Sequence, residues 1–154
     1  MDCVHLFKRI LFCTDFSQEA ADAFGYAVAL AAAAPDAGII LFHVIPEPDA
    51  QFWKTYIYEL DKIDEKAKKD IDRQFEQDYL SKAPPGLNIT TRVAIGAAGE
   101  QILSAIGEVS ADLVILGRRR HAGGPSFFPG DSVKTVVNKA ACPVLVVPAT
   151  SATR

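Results

Sequence analysis

Short apolar runs alternate with longer amphipathic stretches along nearly the whole chain, and this alternation constrains the fold more than any single residue does. Residues 9–14, 38–45, 111–117 and 142–148 are short apolar runs bounded by turn-forming residues, residues 88–95 alternate in part, and all five read as strands. Run 38–45 is apolar on both faces, as expected of a strand covered on both sides. Between the strands lie helical patterns. The first is alanine-rich, with Ser17 as its N-cap, Glu19 in its first turn, and Phe24, Ala27, Val28 and Ala31 on one face. The second, over residues 49–82, repeats Phe52, Tyr56, Leu60, Ile63, Ala67, Ile71, Phe75 and Tyr79 at spacings of three and four. A third opens at Glu100 with Ile102, Leu103 and Ile106 inward. A fourth starts near Asp131 and carries Val133, Val136, Val137 and Ala140. Strand–helix alternation repeated four times and ending on a strand predicts a parallel α/β sheet with helices on both faces.

Size and charge narrow the function. A chain of 154 residues is one domain's worth. The domain is expected over residues 1–148, with a disordered tail over 149–154. Sixteen Lys and Arg against nineteen Asp and Glu give a net charge of −3, so no nucleic-acid partner is expected. No apolar run is long enough to span a membrane. The first residues show no signal-peptide cleavage pattern, and a cytoplasmic location is expected. Cys3, Cys13 and Cys142 form no disulfide framework and no CxxC pair; Cys13 and Cys142 read as small buried apolar residues. His5, His43 and His121 have no ligand spacing, so no metal site is expected. His43 reads as a strand residue with a satisfied hydrogen bond.

In open parallel sheets ligands sit beyond the carboxyl ends of the strands, at the point where strand order reverses. The residues there are Thr14 and Asp15 after the first strand, Val44 at the end of the second, and the loop from Gly117 after the fourth. That loop reads GRRRHAGGPSFFPGDS and feeds a helix. Glycine-bearing backbone and a helix N-terminus suit an anion, and Arg118, Arg119 and Arg120 add forked donors suited to phosphate. A solvated basic surface loop is the plainer reading. The loop matches neither GxGxxG nor GxxxxGK[ST]. Ser132, Asp131 and His121 lack a GxSxG elbow, and no catalytic residue is assigned. Phe127 and Phe128 are read either as inserted into the core or as a stacking or partner surface.

Taken in order, ILFCTDFSQEA, IILFHVIPEP and ADLVILGRRRHAGG…GDSVKTVVNKAACPVLVVP resemble the universal stress protein family over nearly the whole length. The resemblance implies a five-stranded sheet of order 3-2-1-4-5, a role in stress response, a dimer and, in one branch, bound ATP. In that branch the residues matching Asp15 and Val44 lie on the adenine side. The resemblance places Gly117 and Gly130 at the first and third glycines of the phosphate loop. Here Arg120 stands where the second glycine is expected, and Asp131 where Ser or Thr is expected. An arginine brings a side chain where backbone should approach, and an aspartate brings a carboxylate where phosphate oxygens should bind. Ser132 offers a hydroxyl one position later.

The expected cofactor-binding set is therefore Thr14, Asp15, Val44, Gly117, Arg118, Arg120, Gly130, Asp131 and Ser132, with ATP or another adenine nucleotide as ligand. A nucleotide-free interaction protein of the same fold stays open, on account of Arg120 and Asp131, and slow nucleotide hydrolysis is the remotest alternative. The resemblance also puts the last strand at a sheet edge. From Cys142 to Val147 it would pair with its copy in a homodimer, satisfying edge groups that would otherwise invite aggregation.

Overall fold

A computed structural model describes residues 6–46, 60–118 and 130–149. Five strands, β1 (Arg9–Cys13), β2 (Gly38–Pro46), β3 (Asn88–Gly96), β4 (Leu113–Arg118) and β5 (Val144–Pro148), form one parallel sheet in the order β3-β2-β1-β4-β5. The described helices are α1 (Gln18–Ala32), α2 (Leu60–Asp78), α3 (Ala98–Val109) and α4 (Gly130–Lys139). A single 3₁₀ turn, Leu80–Lys82, follows α2. The expected strand order and class are both present. The start expected for the second helix, at residue 49, and the end of the tail lie outside the described residues.

The central strands β2, β1 and β4 are buried on both faces because they alternate between two cores. Ile10, Phe12, Leu41 and Ile115 face one side, packed with Phe24 and Ala27 of α1 and with Phe75 and Tyr79. Leu11, Cys13, Phe42, Val44 and Leu116 face the other, packed with Ile102 and Ile106 of α3 and Val136 of α4. Each large apolar side chain buried this way contributes about 1.5–3 kcal/mol. On the α1 side, Phe12, Phe24 and Tyr79 form an edge-to-face cluster with ring centroids 4.9–5.6 Å apart. Tyr79 lies just past the last residue of α2, not within it, although it continues that helix's apolar stripe. Val137 is a smaller departure: it follows the apolar pattern of its helix yet is half exposed.

Local chemistry fixes the element ends. Ser17 has extended backbone, and its Oγ accepts the N–H of Ala20 at 3.1 Å, the expected cap of α1. At the amino end of the sheet the Asp112 carboxylate accepts the backbone N–H groups of Lys8 and Arg9 at 3.0 and 2.9 Å. The Asp112 N–H donates in turn to the Arg9 carbonyl at 2.8 Å, so the starts of β1 and β4 are held in register. On the outer strand an ion pair joins Arg92 of β3 to Glu108 of α3.

Candidate functional site

Strand register decides which chain ends meet. β1 ends with Cys13 paired to Phe42 on one side and to Leu116 on the other. One and two residues further stand Thr14 and Asp15 after β1, His43 and Val44 in β2, and Gly117 and Arg118 in β4. The sheet order reverses between β1 and β4, so Thr14, Asp15, Val44, Gly117 and Arg118 are gathered at the carboxyl edge around that point.

Thr14 is fully buried, and every polar group it has is engaged. Its N–H donates to the Phe42 carbonyl at 2.8 Å. Its carbonyl accepts from Nδ1 of His43 at 2.8 Å. Its Oγ1 accepts the Phe16 N–H at 2.8 Å and shares a hydrogen bond with the Tyr79 hydroxyl at 2.5 Å. Asp15 is 5% exposed, and its Oδ1 accepts the Ser17 N–H at 3.0 Å, closing an Asx turn into the α1 cap. Phe16 takes a left-handed φ of 61°, which a phenylalanine adopts only when its surroundings hold it there. Its ring lies 4.5 Å from the His43 ring and 5.3 Å from Phe75, centroid to centroid.

The electrostatics follow from this burial. Burial lowers the His43 pKa from its ordinary value of 6.5, opposed by the bond to the Thr14 carbonyl and by the negative charge of Asp15. The ring is therefore neutral at pH 7 and donates through Nδ1. Burial also pushes the Tyr79 hydroxyl up, with the Thr14 bond opposing it and Asp15 and Asp78 adding to the rise, so it stays protonated.

Gly117 shows why a glycine stands at the end of β4. A Cβ there would lie 3.2 Å from the Glu19 carbonyl oxygen and 3.4 Å from the Cα of Ala20. α1 thus runs directly beside β4 at the crevice. Across the sheet, Ser132 is 8% exposed, and its Cα is 3.5 Å from where a Cβ of Gly99 would be, so α3 and α4 meet at their first turns. Asp131 is exposed in the first turn of α4, and Arg118 is exposed at the end of β4. Gly130 is the first residue of α4. Arg120, with Arg119, His121, Phe127 and Phe128, lies outside the described residues. Sequence reading missed the part played by Tyr79, whose place on an apolar stripe says that it is buried and not where its hydroxyl lands.

With this geometry in place, comparisons with known proteins become specific. The sequence profile of the universal stress protein family matches residues 6–148. The chain belongs to the universal stress protein family. No curated protein matches the sequence. Among solved structures, the hypothetical protein MJ0577 is 25% identical with a TM-score of 0.70, over 96% of this chain and 99% of that one. Universal stress protein UspA from Lactobacillus plantarum is 24% identical with a TM-score of 0.68, over 92% and 97%. A universal stress protein solved in complex with cAMP is 20% identical with a TM-score of 0.59, over 92% and 96%. The last two likenesses concern the fold. No described helix of this universal stress protein is long and apolar enough to cross a membrane.

Proposed function

We propose that this universal stress protein is a cytoplasmic, dimeric regulatory or protective module that binds an adenine nucleotide in the crevice between β1 and β4. One observation carries the reading: a buried carboxylate, Asp15, stands at the reversal point of a parallel sheet, beside Val44 and the close-packed Gly117. A carboxylate accepts N–H groups, which the exocyclic amino group of adenine supplies. Asp15 and Val44 would stand on the base side, with the fully engaged Thr14 fixing the turn beside them. Gly117, Arg118, Arg120, Gly130, Asp131 and Ser132 would stand on the phosphate side. The cAMP complex of a relative of the same fold supports a ligand of this class.

A second reading is a nucleotide-free interaction protein, and Asp131 favours it. Its carboxylate already occupies the first turn of α4, where the helix dipole would otherwise meet phosphate. Calorimetric titration of the purified protein with ATP and with cAMP separates the two. Binding of either supports the nucleotide reading, and no heat from both at millimolar concentration supports the interaction protein. We place the working domain at residues 1–148, with the dimer formed through the edge strand β5.

A further inference from the structure

We infer that Tyr79 and His43 are positioning residues for the crevice: acting on Thr14 from two separate parts of the chain, they fix the turn that aims the Asp15 carboxylate. The inference rests on the nucleotide reading and assigns work to residues that do not face the ligand. Consecutive strand residues point to opposite faces. Val44 packs with the α3 and α4 core, whereas His43 stacks on Phe16, which packs with the α1 core. Tyr79 belongs to that same core. The pair therefore stands behind the site, across the sheet from Val44.

Packing alone does not account for them. A phenylalanine at 79 would complete the edge-to-face cluster with Phe12 and Phe24 equally well; the hydroxyl is what reaches the buried Oγ1 of Thr14. An apolar residue at 43 would fill the space beside Phe16, but only a donor serves the Thr14 carbonyl. These two bonds hold Thr14 from its side chain and its backbone at once. Thr14 in turn holds the Phe16 N–H, and Asp15 between them holds the Ser17 N–H. A chain turning through a left-handed phenylalanine has few ways to keep that shape without such anchors. Groups that act through an intermediate and lock a site residue in place are what a preorganised site requires.

Four proteins test this: wild type, Tyr79→Phe, His43→Leu and His43→Asn, whose side-chain amide N–H stands in for Nδ1–H. Two measurements are made on each. The first is affinity for ATP and cAMP. The second, without nucleotide, is amide hydrogen exchange at Phe16 and Ser17 compared with Ile115 in β4. Tyr79→Phe and His43→Leu should weaken binding about tenfold and speed exchange at Phe16 and Ser17 about tenfold, with Ile115 unchanged. His43→Asn should restore most of both. Folded Tyr79→Phe and His43→Leu proteins with wild-type affinity and wild-type exchange overturn the inference while leaving the nucleotide reading intact. If wild type binds neither nucleotide, the reading falls, and the exchange arm still decides whether the pair fixes the turn.

Discussion

Gly117 at the end of β4 lies against Glu19 in the first turn of α1, so closely that an added Cβ would stand 3.2 Å from the Glu19 carbonyl oxygen. The obstacle is backbone and cannot swing aside as a side-chain tip does. Gly117→Ala should therefore push α1 from the sheet and cost about 1–3 kcal/mol, read as a lower urea midpoint. Gly25, exposed in the middle of the same helix, meets nothing within 4 Å. Gly25→Ala should raise stability by about 0.5–1 kcal/mol. Similar midpoints for the two variants would show that the contact at Gly117 is unimportant.

His43 gives the stability a pH dependence of definite sign. Its folded pKa lies below the ordinary 6.5, because burial outweighs the Thr14 bond and the Asp15 charge. The unfolded chain then binds more protons than the folded one between those two values. This contribution is whole above about pH 6.5 and is lost as pH falls from there toward the folded pKa. Urea midpoints at pH 7.5, 6.5 and 5.5 should decline in wild type more steeply than in His43→Asn. Parallel declines would remove His43 as their source.

Asp131 sets the charge at the first turn of α4. Removing one like charge near a polyphosphate is worth about 1–2 kcal/mol, or roughly tenfold in affinity. Asp131→Ser should tighten ATP by about that factor and leave adenosine unchanged in a calorimetric titration. An equal gain for adenosine would place the effect away from the phosphates.

The thiols should separate by accessibility. Cys13 is fully buried, and burial pushes its thiol far up, with Cys142 adding to the rise. Cys142 is only partly covered; burial first and Asp112 second raise its pKa, and the bond with the Val114 backbone opposes them. In a Cys3→Ser protein at pH 8, a disulfide reagent should modify one thiol slowly and the second only on addition of denaturant. Rapid modification of both in the native protein would contradict the packing of β1.

The β5 edge makes the proposed dimer testable without truncating the core. Val146 is half-buried on the outermost strand. In a two-fold contact through β5, Val146→Lys would bring two like charges together, and light scattering should report a monomer of unchanged fold. A dimer that survives the change would move the interface elsewhere.

Much of this was legible from residue order. The apolar runs disclosed the central strands because a doubly covered parallel strand has no polar face, and Ser17 disclosed the helix start through its cap chemistry. Asp15 stood out by its place at a strand end. The conformation of Phe16 was hidden, since a positive φ is signalled by glycine and not by phenylalanine. The bond between Thr14 and Tyr79 was hidden because it joins residues 65 apart, and hydrophobic periodicity carries no information about where a hydroxyl goes. The meeting of Gly99 with Ser132 depends on how two helices dock, which no local pattern encodes. Part of the proposed phosphate side, including Arg120, lies outside the described residues.

Ile10 pairs with Ile39 on one side and with Leu113 on the other, so β1 joins an early-made half of the sheet to a late-made one. During synthesis β1, β2 and β3 emerge first, and the β4 side of β1 stays an open edge until the last third of the chain arrives. Closing that long loop is a non-local step of the kind that slows folding. The crevice between β1 and β4 is thus a seam completed late, and a nucleotide of the kind proposed could not assist the nascent chain before β4 has docked.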